Sequence, residues 1–358
     1  MTFKLKRLML SFLLIGCMIY APLPDIHPVT DTIYAATVYR QSSYVTLSIG
    51  DIATLKLSSI TSGITWKSSN KKIVTVDSSG VITAKKRGTT SIIATYKGSS
   101  YKWIVKVNNT LLSASKTGDY VGLSSTDLAV LNKAEQIIFE EISSDMSSYE
   151  KAKVIHDYLV KNCSYDNRVY QNIAAMPDAS YHPEGCLLYQ TCVCQGYAET
   201  YQLFMNLLGI KNTLISGYAT NDAGTSSHAW NRIKLGKYWY LVDVTWDDPV
   251  PDRGDFVQYD YFLRDDAFFS IDHTWDDTLY PEATGTSYLM KPYKEFIVTN
   301  DTEAKASFEE QLKKDSQYIT FAYKTGTSLS FPFLRDYHYK YYAPTERGDY
   351  TVYVVVIQ

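Results

Sequence analysis

The sequence predicts a multidomain chain: an all-β sandwich first, a larger α+β unit after it, and a small α+β unit at the end. Three observations carry that expectation. Short alternating runs separated by turn residues recur between Tyr44 and Val107. Helical periodicity begins near Ser125 and gives way to alternating segments after Gly209. From about Ser287 strand-like and helix-like stretches follow one another again. With 358 residues, 45% of them hydrophobic, the chain is long enough for two or three cores. A formal net charge of −3 offers no basic excess for nucleic acid and no acidic run for a disordered tail. The 31 tyrosines suit strand surfaces with one polar edge.

Residues 1–36 read as a signal peptide. Lys4, Lys6 and Arg7 form a positive n-region, and Leu8 to Tyr20 is an apolar run too short for a comfortable membrane span. Ile33-Tyr34-Ala35-Ala36 offers small residues for cleavage near Ala35 or Ala36. Leu14-Ile15-Gly16-Cys17 fits a lipobox, with a lipid anchor on Cys17 as the alternative, although Met-Ile-Tyr after it stays apolar. An uncleaved anchor is a third outcome. Each places the protein outside the cytoplasm, secreted or at the cell surface. Beyond this leader remain Cys163, Cys186, Cys192 and Cys194. An even number in an exported chain permits disulfides. Three of them crowd together, however, and a bridge between Cys192 and Cys194 would be strained. They read as mostly free thiols.

The first unit, residues 40–108, contains the runs Val45–Ile49, Ile73–Val76, Val81–Ala84, Ser91–Tyr96 and Tyr101–Val107. Gly50-Asp51, Ser68-Ser69-Asn70, Ser78-Ser79-Gly80, Arg87-Gly88 and Lys97-Gly98 separate them, the spacing of an all-β sandwich. Ile64-Thr65-Trp66-Lys67-Ser68-Ser69-Asn70, Val76-Asp77-Ser78-Ser79-Gly80-Val81-Ile82-Thr83-Ala84 and Gly88-Thr89 resemble the bacterial Ig-like group 2 module. That resemblance implies a spacer or adhesion role with possible cell-wall contact, and no chemistry.

Residues 109–122 are rich in Ser, Asn, Thr and Gly and read as a linker. The second unit spans 123–280. Ser125 or Thr126 can cap a helix through Leu128, Leu131, Ile137 and Ile138. Tyr149 to Asn162 forms another, with Ala152, Ile155, Leu159 and Val160 on one side. Residues 163–192 are loop-like. The small last unit, 287–358, has a strand at Glu295–Val298, a helix capped by Asn300 or Thr302 and running to Lys314, and strands at Tyr318–Tyr323 and Tyr350–Val356. It carries no functional signal.

The chemistry concentrates after residue 192. Tyr197, Tyr201, Phe204 and Leu208 fall on one helical face, and Gly209 stops the helix. Cys194 therefore stands at or just before a helix N-terminus. There the helix dipole and free N–H groups favour a thiolate, and the same N–H groups can bind an oxyanion. Gln195 and Gly196 at that start are oxyanion or cleft candidates, as are Trp230 and Trp246. A lone cysteine is more often a buried small hydrophobe, but two downstream segments change the balance. Ser227–Ile233 and Trp239–Trp246 both alternate, and Lys234-Leu235-Gly236-Lys237 can turn the chain between them. A turn centred between Leu235 and Gly236 makes His228 and Asp243 direct cross-strand neighbours, with Cβ atoms about 5 Å apart; a bulge would spoil that register. Cys194 then serves as nucleophile, His228 as base and acid, and Asp243 as the group that orients the imidazole.

Cys194-Gln195-Gly196-Tyr197-Ala198, Gly209-Ile210, Ser216-Gly217, His228-Ala229-Trp230-Asn231 and Trp239-Tyr240-Leu241-Val242-Asp243-Val244-Thr245-Trp246-Asp247-Asp248-Pro249 resemble the core of bacterial transglutaminase-like domains. Ile155-His156-Asp157-Tyr158-Leu159, Tyr261-Phe262-Leu263 and Asp272-His273 extend the similarity. It implies a papain-like fold with the order Cys, His, Asp. Cys192 departs from that pattern, since relatives usually carry a small or apolar residue there; Cys194 holds the motif position. His273 matches the family without a role that the residues themselves reveal. His156 reads as a packing or surface residue, His182 as a possible cleft residue, and Asp247-Asp248 as a turn or a weak cation site.

Three functional readings follow. The first is a cysteine peptidase, amidase or acyltransferase without cofactor, acting on peptide, protein or peptidoglycan stem-peptide amides, with water or an amine as acceptor. The second is an inactive surface adhesin or wall-binding scaffold, against which the complete triad argues. The third is a metal site of Cys192, Cys194, His228 and Asp243, which the single residue between the cysteines disfavours.

Overall fold

The computed structural model describes residues 38–40, 44–57, 60, 62–248, 250, 256–314 and 316–358. The leader, with its Cys17 and Ala35/Ala36 alternatives, lies outside the described residues, as does Pro249. Among the described residues no helix is long and apolar enough to cross a membrane.

The first unit is a sandwich of two four-stranded sheets. One runs Val38–Arg40, Ile52–Lys56, Val81–Ala84, Val74–Val76; the other runs Tyr44–Ser48, Ser99–Asn108, Gly88–Tyr96, Thr65–Ser68. Alternation along each strand sends Val74, Ile82, Ile92, Trp103 and Val105 into a single core between the sheets. The expected all-β unit is thus present, with the strands at Ile52 and Thr65 added to the runs read from the sequence.

The 109–122 stretch, read as a linker, is not slack chain. Leu111–Thr117 is helical, closed at its start by a capping box between Thr110 and Ser113. Leu111 is buried in the core of the second unit, and Asn206 donates to the Leu112 carbonyl at 3.3 Å. Polar composition over the whole stretch concealed a helix whose apolar residues, Leu111, Leu112 and Ala114, fall within a single turn. The next helix, Ser125–Glu141, is capped by Ser124, one residue before the expected caps, since Asp127 completes a capping box with Ser124. Leu131 and Ile137 are buried, while Leu128 is exposed. Ser148–Asn162 follows with its own Ser147/Glu150 capping box and buries Ala152, Ile155, His156, Leu159 and Val160.

The second unit is built on a five-stranded antiparallel sheet in the order Phe262–Arg264, Tyr238–Val242, Gly224–Leu235, Asn212–Asn221, His273–Thr274. The helix Cys194–Leu207 packs against the Gly224–Leu235 and Asn212–Asn221 strands. Tyr197, Tyr201, Leu203, Phe204 and Met205 anchor it in the main core. Segment 163–192 breaks into a short helix at Arg168–Gln171, 3-10 turns, and a helix at Pro183–Leu188.

In the last unit, strands Tyr318–Lys324 and Tyr350–Ile357 pair antiparallel, and Asn300 caps the helix Asp301–Lys313. Glu295–Val298 is not the expected strand. Lys291–Phe296 forms a 3-10 helix with Pro292 in its first turn, where its fixed φ suits a helical start, and Ile297 makes an isolated bridge to Ala322. Ala322 and Val352 join the core of the second unit. Arg347, fully buried, donates to Asp260 at 3.2 Å, so an ion pair buried on its arginine side and partly exposed on its aspartate side also fastens the two units.

Candidate active site

Cys194 is the first residue of its helix, and the residue before it, Val193, supplies no side-chain cap. An uncapped start leaves backbone N–H groups at Cys194, Gln195 and Gly196 without an intrahelical acceptor. Four thiols are candidates, and burial separates them. Cys163, Cys186 and Cys192 are buried; Cys194 is half-buried and open to solvent. All four are free thiols, with the Cys163 and Cys192 sulfurs 3.4 Å apart. Burial pushes the Cys192 and Cys186 thiols well up, which makes them poor nucleophiles.

His228 lies in the strand Gly224–Leu235, directly across from Gly217. A Cβ at Gly217 would collide with the Thr274 carbonyl and meet the Trp230 ring at 2.8 Å. Glycine there lets the short strand His273–Thr274 dock on the sheet edge behind the imidazole. His228 Nε2 lies 2.6 Å from Asp243 Oδ2, and the Cys194 sulfur acts electrostatically on the same ring. With Nε2 occupied, Nδ1 is the atom left for the thiol.

The cross-strand pairing expected for His228 and Asp243 is not the one observed. Leu235 faces Tyr238 and Asn231 faces Val242, because Gly236, at φ +59, takes the first central position of the turn and shifts the register. Asp243 sits just past the strand's end and caps the short helix Val244–Asp247, accepting from the Trp246 N–H at 3.2 Å. It still reaches His228, from the turn after the strand.

Electrostatics make this a charged pair. Burial works against charge on His228, but the Asp243 carboxylate, the Cys194 sulfur and the hydrogen bond to Asp243 outweigh it, pushing the pKa up to about 10. Burial alone would raise Asp243; the charge and donors of His228 and His273 hold it far below the usual carboxylate range. A thiol, an imidazole and a carboxylate in this order can generate a thiolate, attack a carbonyl carbon and return a proton to a leaving group.

The other expected site residues scatter. Gln195 is tied along its helix, donating to Glu199 at 2.9 Å, so its amide is engaged and its backbone N–H is what remains for an oxyanion. Gly196 is buried against Cys192 and the Ser180 carbonyl. Trp230 is not cleft wall: it is 1% exposed and packs with Ile215, Leu241 and Phe269. Trp246 is half-buried, its ring centroid 5.7 Å from that of His228. The metal set of Cys192, Cys194, His228 and Asp243 is split: Cys192 groups with Cys163 and Cys186, while His228 and Asp243 group with His273. His182 faces Glu199 at 3.0 Å.

Two features escaped sequence reasoning. His156 is fully buried, with Nε2 3.1 Å from Asp247 Oδ2 and Nδ1 3.1 Å from Asp157 Oδ1. It is neither surface nor plain packing, and Asp247 is a core residue rather than a turn. His273, noted in sequence only by resemblance, touches Asp243 at 3.2 Å. Nothing local in the sequence signals either pairing, because the partners are 91 and 30 residues away.

Residues 136–244 match the transglutaminase-like superfamily, and residues 33–107 match the bacterial Ig-like domain (group 2). Kyphoscoliosis peptidase of Mus musculus is 24% identical over 167 residues, 43% of this chain and 25% of that protein. The Homo sapiens protein of the same name is 25% identical over 159 residues, covering 40% and 23%. The chain thus spans about a quarter of the length of these curated relatives. Among solved structures, a TGase shares 16% identity over 44% of each chain at a TM-score of 0.30. The periplasmic domain of TgpA from Pseudomonas aeruginosa, bound to ethylmercury, shares 12% identity over 52% of this chain and 66% of that one, at 0.27.

Proposed function

We propose, for a chain whose residues 136–244 belong to the transglutaminase-like superfamily, that it is an exported cysteine enzyme cleaving or transferring acyl groups from peptide or glutamine-type amides. The observation that carries this is Cys194 at an uncapped helix start, electrostatically coupled to a His228 that Asp243 orients at 2.6 Å. Cys194 sulfur attacks the amide carbon, and the developing oxyanion meets the free N–H groups of the helix start. The C–N bond breaks as His228 gives its proton to the departing amine, leaving a thioester on Cys194. Water or a second amine then attacks the thioester, and His228 takes that nucleophile's proton.

The substrates we propose are cell-wall peptides or extracellular proteins. The leader-like residues 1–36 and the Ig-like match at 33–107 support action outside the cytoplasm. The test is turnover of a panel of peptide and glutamine amides, each with and without added primary amine. Turnover lost in Cys194→Ala supports the reading. Turnover retained in that variant removes it. Ammonia or peptide release without amine incorporation assigns hydrolysis.

A further inference from the structure

Asp243 serves two imidazoles. Its Oδ2 lies 2.6 Å from His228 Nε2 and 3.2 Å from His273 Nε2, while Oδ1 accepts the Trp246 N–H. On its other side, His273 Nδ1 lies 2.6 Å from Asp272 Oδ1, and Asp272 Oδ2 accepts the Tyr261 hydroxyl at 2.6 Å. Proton counting then decides the state of the second ring. An ionised carboxylate only accepts. With Asp243 and Asp272 both ionised, each nitrogen of His273 faces an acceptor and must donate. The ring is 1% exposed and enclosed by Trp230, Trp246 and Phe269, with centroids 4.5–4.9 Å away, a packing that leaves little room for water to replace either partner.

We propose that His273 is a positioning residue of the triad: a buried imidazolium, held between Asp243 and Asp272, that fixes the carboxylate orienting His228 and shares its charge. The proposal rests on the Cys194 reading above. A buried carboxylate bonded to one imidazolium grips its proton tightly, which suits thiolate formation and hinders proton return to a leaving amine. A second cation on the same oxygen loosens that grip. The charged groups facing His228 are Asp243 from the turn after its neighbouring strand, Cys194 from the helix start and His273 from the edge strand. Those facing His273 are Asp243, Asp272 and the His228 ring, with 5.5 Å between the two imidazole centroids, and Tyr261 acts through Asp272.

Two measurements on the full-length resting protein test this. In long-range proton–nitrogen correlation spectra of the histidine rings at pH 7, both His273 nitrogens should appear protonated; one nitrogen in the unprotonated range overturns the proposal. In His273→Gln, the amide N–H replaces Nε2 without its charge. The His228 titration midpoint should then rise by about half to one pH unit, since a nearby positive charge is gone. An unmoved midpoint in a variant with parental circular dichroism makes His273 a packing residue and also overturns it. Neither readout uses a substrate, so the proposal stands or falls apart from the reaction assigned to Cys194.

Discussion

Asp243 Oδ2 and His228 Nε2 are 2.6 Å apart, although Asp243 lies beyond the last paired residue of its strand, Val242. The carboxylate is aimed by a helix start rather than by a ladder: its other oxygen holds the Trp246 N–H. Rotation is therefore blocked on both sides.

That clamp makes Asp243→Asn a clean test of orientation. The amide keeps the shape and presents the wrong hydrogen-bonding group to the ring. Amide turnover is expected to fall by about 10³–10⁴-fold, the scale seen when a triad carboxylate is neutralised, with melting temperature measured beside it. A fall of less than tenfold would mean that another group orients His228.

Burial predicts selective alkylation. In the folded protein, iodoacetamide at mildly acidic pH should label Cys194, with Cys163, Cys186 and Cys192 reacting only after denaturation. Peptide mapping by mass spectrometry reads this directly. Labelling of Cys192 in the folded state would contradict its 0% exposure.

The charged pair also predicts a pH window for stability. The folded pKa of His228, about 10, lies above its unfolded value near 6.5. Its stabilisation is therefore complete below about pH 6.5 and is lost as pH rises toward 10. Asp243 is depressed, so its contribution is present above about pH 3.9 and is lost as pH falls further. Thermal melts across pH 6–10 should show a downward slope that His228→Ala flattens. An identical slope in parent and variant would assign it to other groups.

The His156–Asp247 pair, 0% exposed on both sides, predicts a large loss of stability. His156→Leu would strand the Asp247 carboxylate in the core, a change that costs about 3–5 kcal/mol when one partner of a buried pair is removed. Denaturant titration checks it. The Asp247 pKa, already raised by burial to about 6 with His156 present to offset it, should climb further in that variant.

Gly217→Ala is expected to lower stability and to disturb His228 without touching Cys194. A methyl group there would strike the Thr274 carbonyl and the Trp230 ring, prising the His273–Thr274 strand from the sheet edge. The check is a histidine NMR spectrum in which His273 and His228 resonances shift together. Unchanged spectra would mean that the edge strand adapts.

What the sequence determined by itself was local and periodic. Alternation between Tyr44 and Val107 was enough for the sandwich, because a strand's buried face is written in every second residue. The helix after Cys194 was legible from Tyr197, Tyr201 and Phe204, and with it the place of the thiol at a dipole's positive end. Cys194, His228 and Asp243 were named from spacing and resemblance. Only the tertiary structure decided how they meet. A single glycine conformation at Gly236 reset the hairpin register, and Asp243 reached His228 from a cap instead of a pair. Capping boxes, as at Thr110, converted a polar stretch into a packed helix. The links of His273 to Asp243 and of His156 to Asp247 could not be read at all. Such contacts depend on which elements the core brings side by side, and no residue's own neighbours along the chain carry that information.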